Sequence, residues 1–209
     1  MIIIVDYGMG NLRSVSKALE RVGAEVCVTS DPSQVENAGK LILPGVGAFD
    51  VAMQELAARR LIEPINAVLA AGKPYLGICL GLQLLFERSE EGRGAEGLGV
   101  LRGTVKRLAA GPPLKIPHMG WNQVLSTQHT AHSTQDGCPL LDGIPSGSFF
   151  YFVHSYYADP VDRSLVCLES DHGQRFAAMI WSGNLFAAQF HPEKSQSVGL
   201  KVLKNFVDL

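Results

Sequence analysis

The chain contains no apolar run approaching the roughly eighteen residues of a membrane span, no excess of one charge, and no cysteine pair at zinc or redox spacing. Each absence excludes a class. Lys and Arg total 18 against 20 Asp and Glu, for a formal net charge of −2, which argues against nucleic acid or an anionic membrane as partner. The segment from Met1 to Asp6 lacks a basic flank and a small-residue cleavage site, so it reads as a buried strand rather than a signal peptide. The four cysteines are Cys27, Cys79, Cys138 and Cys167. Cys27 and Cys167 sit in apolar runs and read as small core residues, while Cys138 falls in a polar loop. Free thiols in a chain of this kind point to a reducing cytoplasm. There is no internal repeat, low-complexity tract or interdomain linker. With 209 residues, 46% hydrophobic and 18% charged, residues 1–209 are expected to form one domain around one core.

What is present is an alternation of strand and helix in the first half. Ile2 to Val5 is a continuous β-rich run. Asn11 to Val22 places Leu12, Val15, Leu19 and Val22 on one helical face, with Gly23 as the stop. Glu25 to Val28 is a second strand. Leu41 to Leu43 is a third, expected to break at Pro44-Gly45-Val46-Gly47. Helical stretches over Asp50 to Ala58 and Leu61 to Ala71 lead to the next strand. Such units imply parallel strands with right-handed crossovers and a ligand site at the strand carboxyl ends. Glu87 to Gly97 reads as a charged, solvated loop. Consecutive strands follow: Val100 to Leu108, Pro117 to Leu125, Phe149 to Ser155, Leu165 to Ser170, Phe176 to Trp181 and Leu185 to Phe190. Gly183-Asn184 is a hairpin turn signal, and Val198 to Val207 returns to helix. The expected fold class is α/β: a mixed, mostly parallel sheet flanked by helices, with additional antiparallel strands extending it.

Two segments carry chemistry. In Gly77-Ile78-Cys79-Leu80-Gly81-Leu82-Gln83, a cysteine lies between glycines two residues away on each side, where a strand passes into a helix. This is the layout of a nucleophile elbow, whose turn leaves no room for flanking side chains. A sulfur at a helix N-terminus is favoured as thiolate; read alone, Cys79 is equally a core residue. In Phe190-His191-Pro192-Glu193-Lys194, His191 and Glu193 are two apart, so an extended segment would send both from one face. One ring nitrogen would meet the thiol and the other would donate to Glu193. A free thiol is only about 3% ionised at neutral pH, so a base is needed. The Leu80 N–H would supply one oxyanion donor. The Val46 N–H, in a glycine-flanked loop free to rotate its Gly45–Val46 peptide, would supply the other; such donors are typically worth about 10²–10³ in rate.

Two rival motifs fail. Gly8-Met9-Gly10 with Asp31 suggests a dinucleotide fingerprint, but Arg13 occupies the third glycine position. His129-x-x-His132 has no companion cysteine or carboxylate cluster, and a surface loop is expected there rather than a metal.

With these residues in place the chain resembles the class I, triad-type glutamine amidotransferases, and within them the glutaminase subunits of imidazole glycerol phosphate synthases. The resemblance rests on the two segments above together with Asp6 to Leu12, Leu43 to Phe49, Lys115 to Asn122, Tyr151 to Tyr157 and His191 to Ser195. It implies glutamine hydrolysis through a glutamyl thioester on Cys79, with His191 as base and acid and Glu193 orienting it. Gly47, Gln83, Ser155 and Tyr156 would hold glutamine. Asn11, Trp121, Tyr151 and Lys194 would face a cyclase partner in a heterodimer, which receives the ammonia. No cofactor and no metal is implied. Alternatives are an amidotransferase serving nucleotide, anthranilate or pyridoxal phosphate synthesis, or a non-catalytic scaffold of the same fold.

Overall fold

The computed structural model describes residues 1–92, 94–109, 111, 114–127 and 137–209. His129 and His132 lie outside these residues. The first half runs β1 (Ile2–Val5), α1 (Leu12–Arg21), β2 (Val26–Thr29), α2 (Pro32–Glu36), β3 (Lys40–Gly45), α3 (Phe49–Ala58), α4 (Ile62–Ala70), β4 (Tyr75–Cys79) and α5 (Leu80–Gln83). The second runs β5 (Phe86–Ser89), β6 (Leu101–Arg107), β7 (His118–Gln123), β8 (Leu125–Ser126), β9 (Phe149–His154), β10 (Tyr156–Pro160), β11 (Val166–Asp171), β12 (Arg175–Ser182), β13 (Leu185–Ala188) and α6 (Gln196–Asp208).

The main sheet has eight strands in the order β2-β1-β3-β4-β13-β12-β11-β8. From β2 to β13 the pairs are parallel, and from β13 to β8 they are antiparallel. The alternation along β1 explains its burial on both faces. Ile2 and Ile4 join a core with Val15 and Leu19 of α1 and Phe206 of α6. Ile3 and Val5 join the opposite core with Leu56 of α3 and Val68 of α4. Each such side chain contributes about 1.5–3 kcal/mol relative to exposure. Helix α1 stops as its glycine predicts, with Gly23 at φ +89°. Ser182 pairs with Leu185 across Gly183-Asn184, so the expected hairpin forms.

Several expectations change. Pro44 does not end its strand: β3 runs on to Gly45, paired with β4 through Pro44↔Ile78 and Gly45↔Cys79. Pairing with β1 stops at Ile42, so Pro44 has a ladder on one side only, where proline is tolerated. Helix α2 was not legible from apolar periodicity. It is specified by Asp31, whose side chain accepts from the Ser33 N–H, and by Pro32 in the first turn. The segment 87–97 is not simply a loop, because β5 occupies its start and pairs with β6. Not every later strand extends the main sheet: β10-β6-β5 form a three-stranded sheet and β7-β9 a separate ribbon. Cys138 is buried, while Cys27, on the edge strand β2, is only half-buried. No helix among the described residues is long and apolar enough to cross a membrane.

Candidate active site

Because β3, β4 and β13 run parallel, their carboxyl ends open on one side of the sheet. Cys79 closes β4, the segment 44–47 ends β3, and His191 follows β13. The elbow geometry is explicit. Cys79 sits at φ +54°, ψ −105°, a conformation costly for a side-chain-bearing residue. A Cβ on Gly77 would lie 2.6 Å from the Gly81 carbonyl oxygen, and one on Gly81 would collide with the Leu43 carbonyl. Both flanking glycines are therefore required by close approach. The helix after Cys79 is a single turn, since α5 ends at Gln83. That leaves the local N–H groups, rather than a long helix dipole, to favour a negative sulfur.

His191 and Glu193 meet as expected but by another route. The strand has ended, and Pro192–Lys194 forms a 3-10 turn that brings His191 Nδ1 to 2.8 Å from Glu193 Oε1. Three further hydrogen bonds hold this turn. Ser195 Oγ donates to the His191 carbonyl at 2.7 Å and accepts from the Tyr151 N–H at 3.0 Å. The His191 N–H donates to the Tyr151 carbonyl at 2.9 Å. Gly199 allows α6 to pack on the turn, for a Cβ there would meet the Pro192 carbonyl. Burial opposes charge on His191, but the Cys79 sulfur and the Glu193 carboxylate outweigh it and raise its pKa to about 10. Its Nε2 meets no hydrogen-bond partner, yet the neighbouring Cys79 sulfur is the leading influence that raises the pKa. Among the described residues, buried side-chain atoms without a hydrogen-bond partner include His191 Nε2, Glu193 Oε2 and the Tyr7 hydroxyl, which lies against Gly45. Such orphans are costly and rare.

A cavity of about 420 Å³ opens over the sulfur. Val46, Gly47, Leu80, Gln83, Ser155, Tyr156 and Lys194 line it, so these expected site residues converge. Val46 is exposed and Gly47 adopts φ +101°. Gly45 also has a packing role: a Cβ there would meet the Tyr7 hydroxyl and Leu80, so a small residue is required. Outside the cavity, Trp121 is 47% exposed and lies edge-on to Tyr151 at 6.2 Å, with the Lys194 ammonium 5.7 Å from the Tyr151 ring centre. Met119 and Phe149 extend this exposed apolar face of the β7–β9 ribbon. Asn11 stands just before α1, its side chain making no capping bond to the helix, next to Gly10, which packs beside Pro44. A second cleft, about 490 Å³, is lined by Ser126, Arg163, Glu169 and Arg175 and shares no residue with the first.

Sequence reasoning missed three groups. Glu91, read as solvated, lines the cavity; its Oε2 accepts the Phe49 N–H at 2.9 Å, and burial raises its pKa. Gln189 is buried, and its Nε2 donates to Cys79 Sγ at 3.6 Å. The third is a pair of histidines. His154 Nδ1 bonds the Tyr156 carbonyl at 2.8 Å, and its Nε2 lies 2.9 Å from His118 Nδ1. A carbonyl only accepts, so His154 carries its proton on Nδ1, and its Nε2 accepts a hydrogen bond from the His118 Nδ1–H. Asn122 Nδ2 then donates to His118 Nε2 at 3.1 Å. Desolvation first, then neighbouring His172, lowers His118 to about 4. Desolvation, with His118, His172 and His191 nearby, lowers His154 to about 3 against the opposing Tyr156 contact. The alternating β7 and β9 pattern hinted at an inward face at His118 and His154, but not at their mutual bond.

Residues 3–209 match the family described as Glutamine amidotransferase class-I. The Imidazole glycerol phosphate synthase subunit HisH of Syntrophotalea carbinolica is 50% identical over 214 residues, covering 100% of both chains. The subunit of the same name from Moorella thermoacetica is 53% identical over 208 residues, covering 100% of this chain and 94% of its own. Among solved structures, a chain of PurLQS from Thermotoga maritima superposes with TM-score 0.73 at 20% identity, covering 99% of this chain and 97% of that one. At that identity the likeness concerns the fold alone.

Proposed function

This chain belongs to the class-I glutamine amidotransferases, and from that premise we propose that it is the glutaminase subunit of an imidazole glycerol phosphate synthase, acting as one domain over residues 1–209. It hydrolyses glutamine to glutamate and ammonia and delivers the ammonia to a cyclase subunit for histidine biosynthesis. The observation that carries the reading is the buried Glu193–His191 couple set against Cys79 on a strained elbow. The name that the relatives carry, imidazole glycerol phosphate synthase subunit HisH, supports the assignment to that synthase.

In this reading the Cys79 sulfur attacks the side-chain carbonyl carbon of glutamine. The developing oxyanion is met by the Leu80 and Val46 N–H groups. His191, held protonated beside Glu193, gives its Nε2 proton to the departing nitrogen as the C–N bond breaks, releasing ammonia and leaving a thioester. Neutral His191 then takes a proton from water, whose oxygen attacks the thioester and regenerates Cys79 with release of glutamate. Gly47, Gln83, Ser155 and Tyr156 hold the substrate. Glu91, with one oxygen committed to the Phe49 N–H, has the other for the α-ammonium.

The exposed face of Met119, Trp121 and Phe149, with Tyr151 and Lys194 beside it and Asn11 toward the same partner, is the docking surface for the cyclase. A half-exposed tryptophan is costly to leave in water and is favoured at interface centres. Four free cysteines fit a reducing cytoplasm.

Glutamate release should be measured for the chain alone and with the cyclase and its ligand. Stimulation by the cyclase is expected, and its absence would overturn the pathway assignment. Cys79→Ala should abolish release in both cases, and Trp121→Ala should weaken cyclase binding by roughly 10–100-fold.

A further inference from the structure

We propose that Gln189 is a positioning residue for the nucleophile: its carboxamide N–H holds the Cys79 sulfur and favours the thiolate, alongside the imidazole of His191. The inference rests on Cys79 being the nucleophile of the proposed reaction. Backbone alternation creates the arrangement. Along Gln189-Phe190-His191, Phe190 turns into the core and stacks on Phe150 at 4.1 Å. Gln189 and His191 leave the opposite side, toward Cys79.

The orientation of the Gln189 amide follows from its neighbours. The Tyr156 carbonyl can only accept, and Gln83 lies against it at 2.9 Å, so that end of Gln83 is Nε2. The same Nε2 is 3.1 Å from Gln189, which must therefore present Oε1 to it. That turns Gln189 Nε2 toward the sulfur, 3.6 Å away. Both protons of Gln83 Nε2 are committed, so the amide of Gln189 cannot flip without losing a bond at each end. Gln189 is fully buried, which places its N–H dipole where water does not screen it.

The sulfur also donates weakly to the Val153 carbonyl at 3.9 Å. The two contacts act in opposite directions. The carbonyl suits a thiol, whereas the N–H suits a thiolate. The N–H contact is the shorter, and a hydrogen bond to a charged group exceeds one to a neutral group.

The test is the pH dependence of Cys79 alkylation by iodoacetamide in the full chain, read by mass spectrometry on the Cys79 peptide. Gln189→Met keeps length and volume and removes the donor. Its alkylation midpoint should rise by about one pH unit, since hydrogen bonds to charged groups are typically of that size or larger. Cyclase-stimulated glutamine hydrolysis at pH 7 should fall about tenfold in kcat, with KM little changed, and recover as pH is raised. If Gln189→Met folds poorly because Gln83 is left without its acceptor, the double variant Gln189→Met/Gln83→Met removes both partners, and its midpoint should rise equally. A folded variant with the wild-type midpoint overturns the proposal, as does a change confined to KM, which would make Gln189 a part of the cavity wall only. Glutamine hydrolysis by Cys79→Ala would instead overturn the reading of the site, and the proposal with it.

Discussion

Two buried histidine couples lie within this small region, and they have opposite charge states. His191 faces Glu193 and Cys79 and is held protonated, with its pKa raised to about 10. His118 and His154 face one another, Asn122 and a carbonyl, and are held neutral, at about 4 and about 3. Burial disfavours the ion in all three. What differs is the partner: a carboxylate and a sulfur can return the lost hydration as Coulomb energy, whereas an amide, a carbonyl and a second imidazole cannot. The charged couple moves protons. The neutral pair fixes the Tyr156 carbonyl that also anchors Gln83.

The largest expected effect comes from removing the charge that separates the two couples. Glu193→Gln keeps a hydrogen-bonding side chain beside His191 but not its charge, and kcat for glutamine hydrolysis should fall about 10⁴-fold, as when a histidine-orienting carboxylate is amidated elsewhere. A loss below tenfold would mean that Glu193 is only a structural partner.

Displacing the charged couple while leaving the neutral pair alone is the next test. Gly199→Ala puts a methyl into the Pro192 carbonyl. Denaturant unfolding should show a loss of about 2–4 kcal/mol, and unchanged stability would show that the turn relaxes freely.

The couples should also respond to pH at opposite ends. His191, with a folded pKa above its ordinary value of about 6.5, contributes stability that is complete below that value and is lost as pH rises through about 10. His118 and His154, depressed by burial, contribute above about 6.5, and that contribution is lost as pH falls toward about 4 and about 3. Each loss should be on the order of 2–3 kcal/mol, since one pKa unit is about 1.4 kcal/mol and charge reaching water during relaxation reduces the full shift. NMR of the ring nitrogens should find His118 and His154 neutral at pH 5.5 and His191 protonated at pH 8.5. The reverse assignment at either site would dissolve the contrast.

The smallest effect is expected at the outer end of the neutral chain. Asn122→Ala removes the donor to His118 Nε2 at a partly exposed position, and stability should fall by about 1 kcal/mol.

How much of this was legible depended on sequence distance. The elbow could be read because part of its constraint is local, a Cβ on Gly77 meeting the Gly81 carbonyl, although the clash that requires Gly81 comes from distant Leu43. The His191–Glu193 contact was readable for the same reason, although a turn rather than a strand produces it. In sequence Gln189 is one more residue of an apolar strand, because its partners Gln83 and Cys79 are 106 and 110 residues away. Glu91 looked solvated because the Phe49 N–H it accepts is 42 residues distant. The His118–His154 bond spans 36 residues.

Sequence alone determined the α/β class, the parallel first half, the nucleophile turn and its histidine–carboxylate couple, for these follow from periodicity and short-range sterics. Only the tertiary structure decided which strands left the main sheet, which buried histidines carry charge, and which amide faces the sulfur. Those outcomes depend on desolvation and on partners that distant segments bring within hydrogen-bond reach, and neither quantity has a value until the chain is folded.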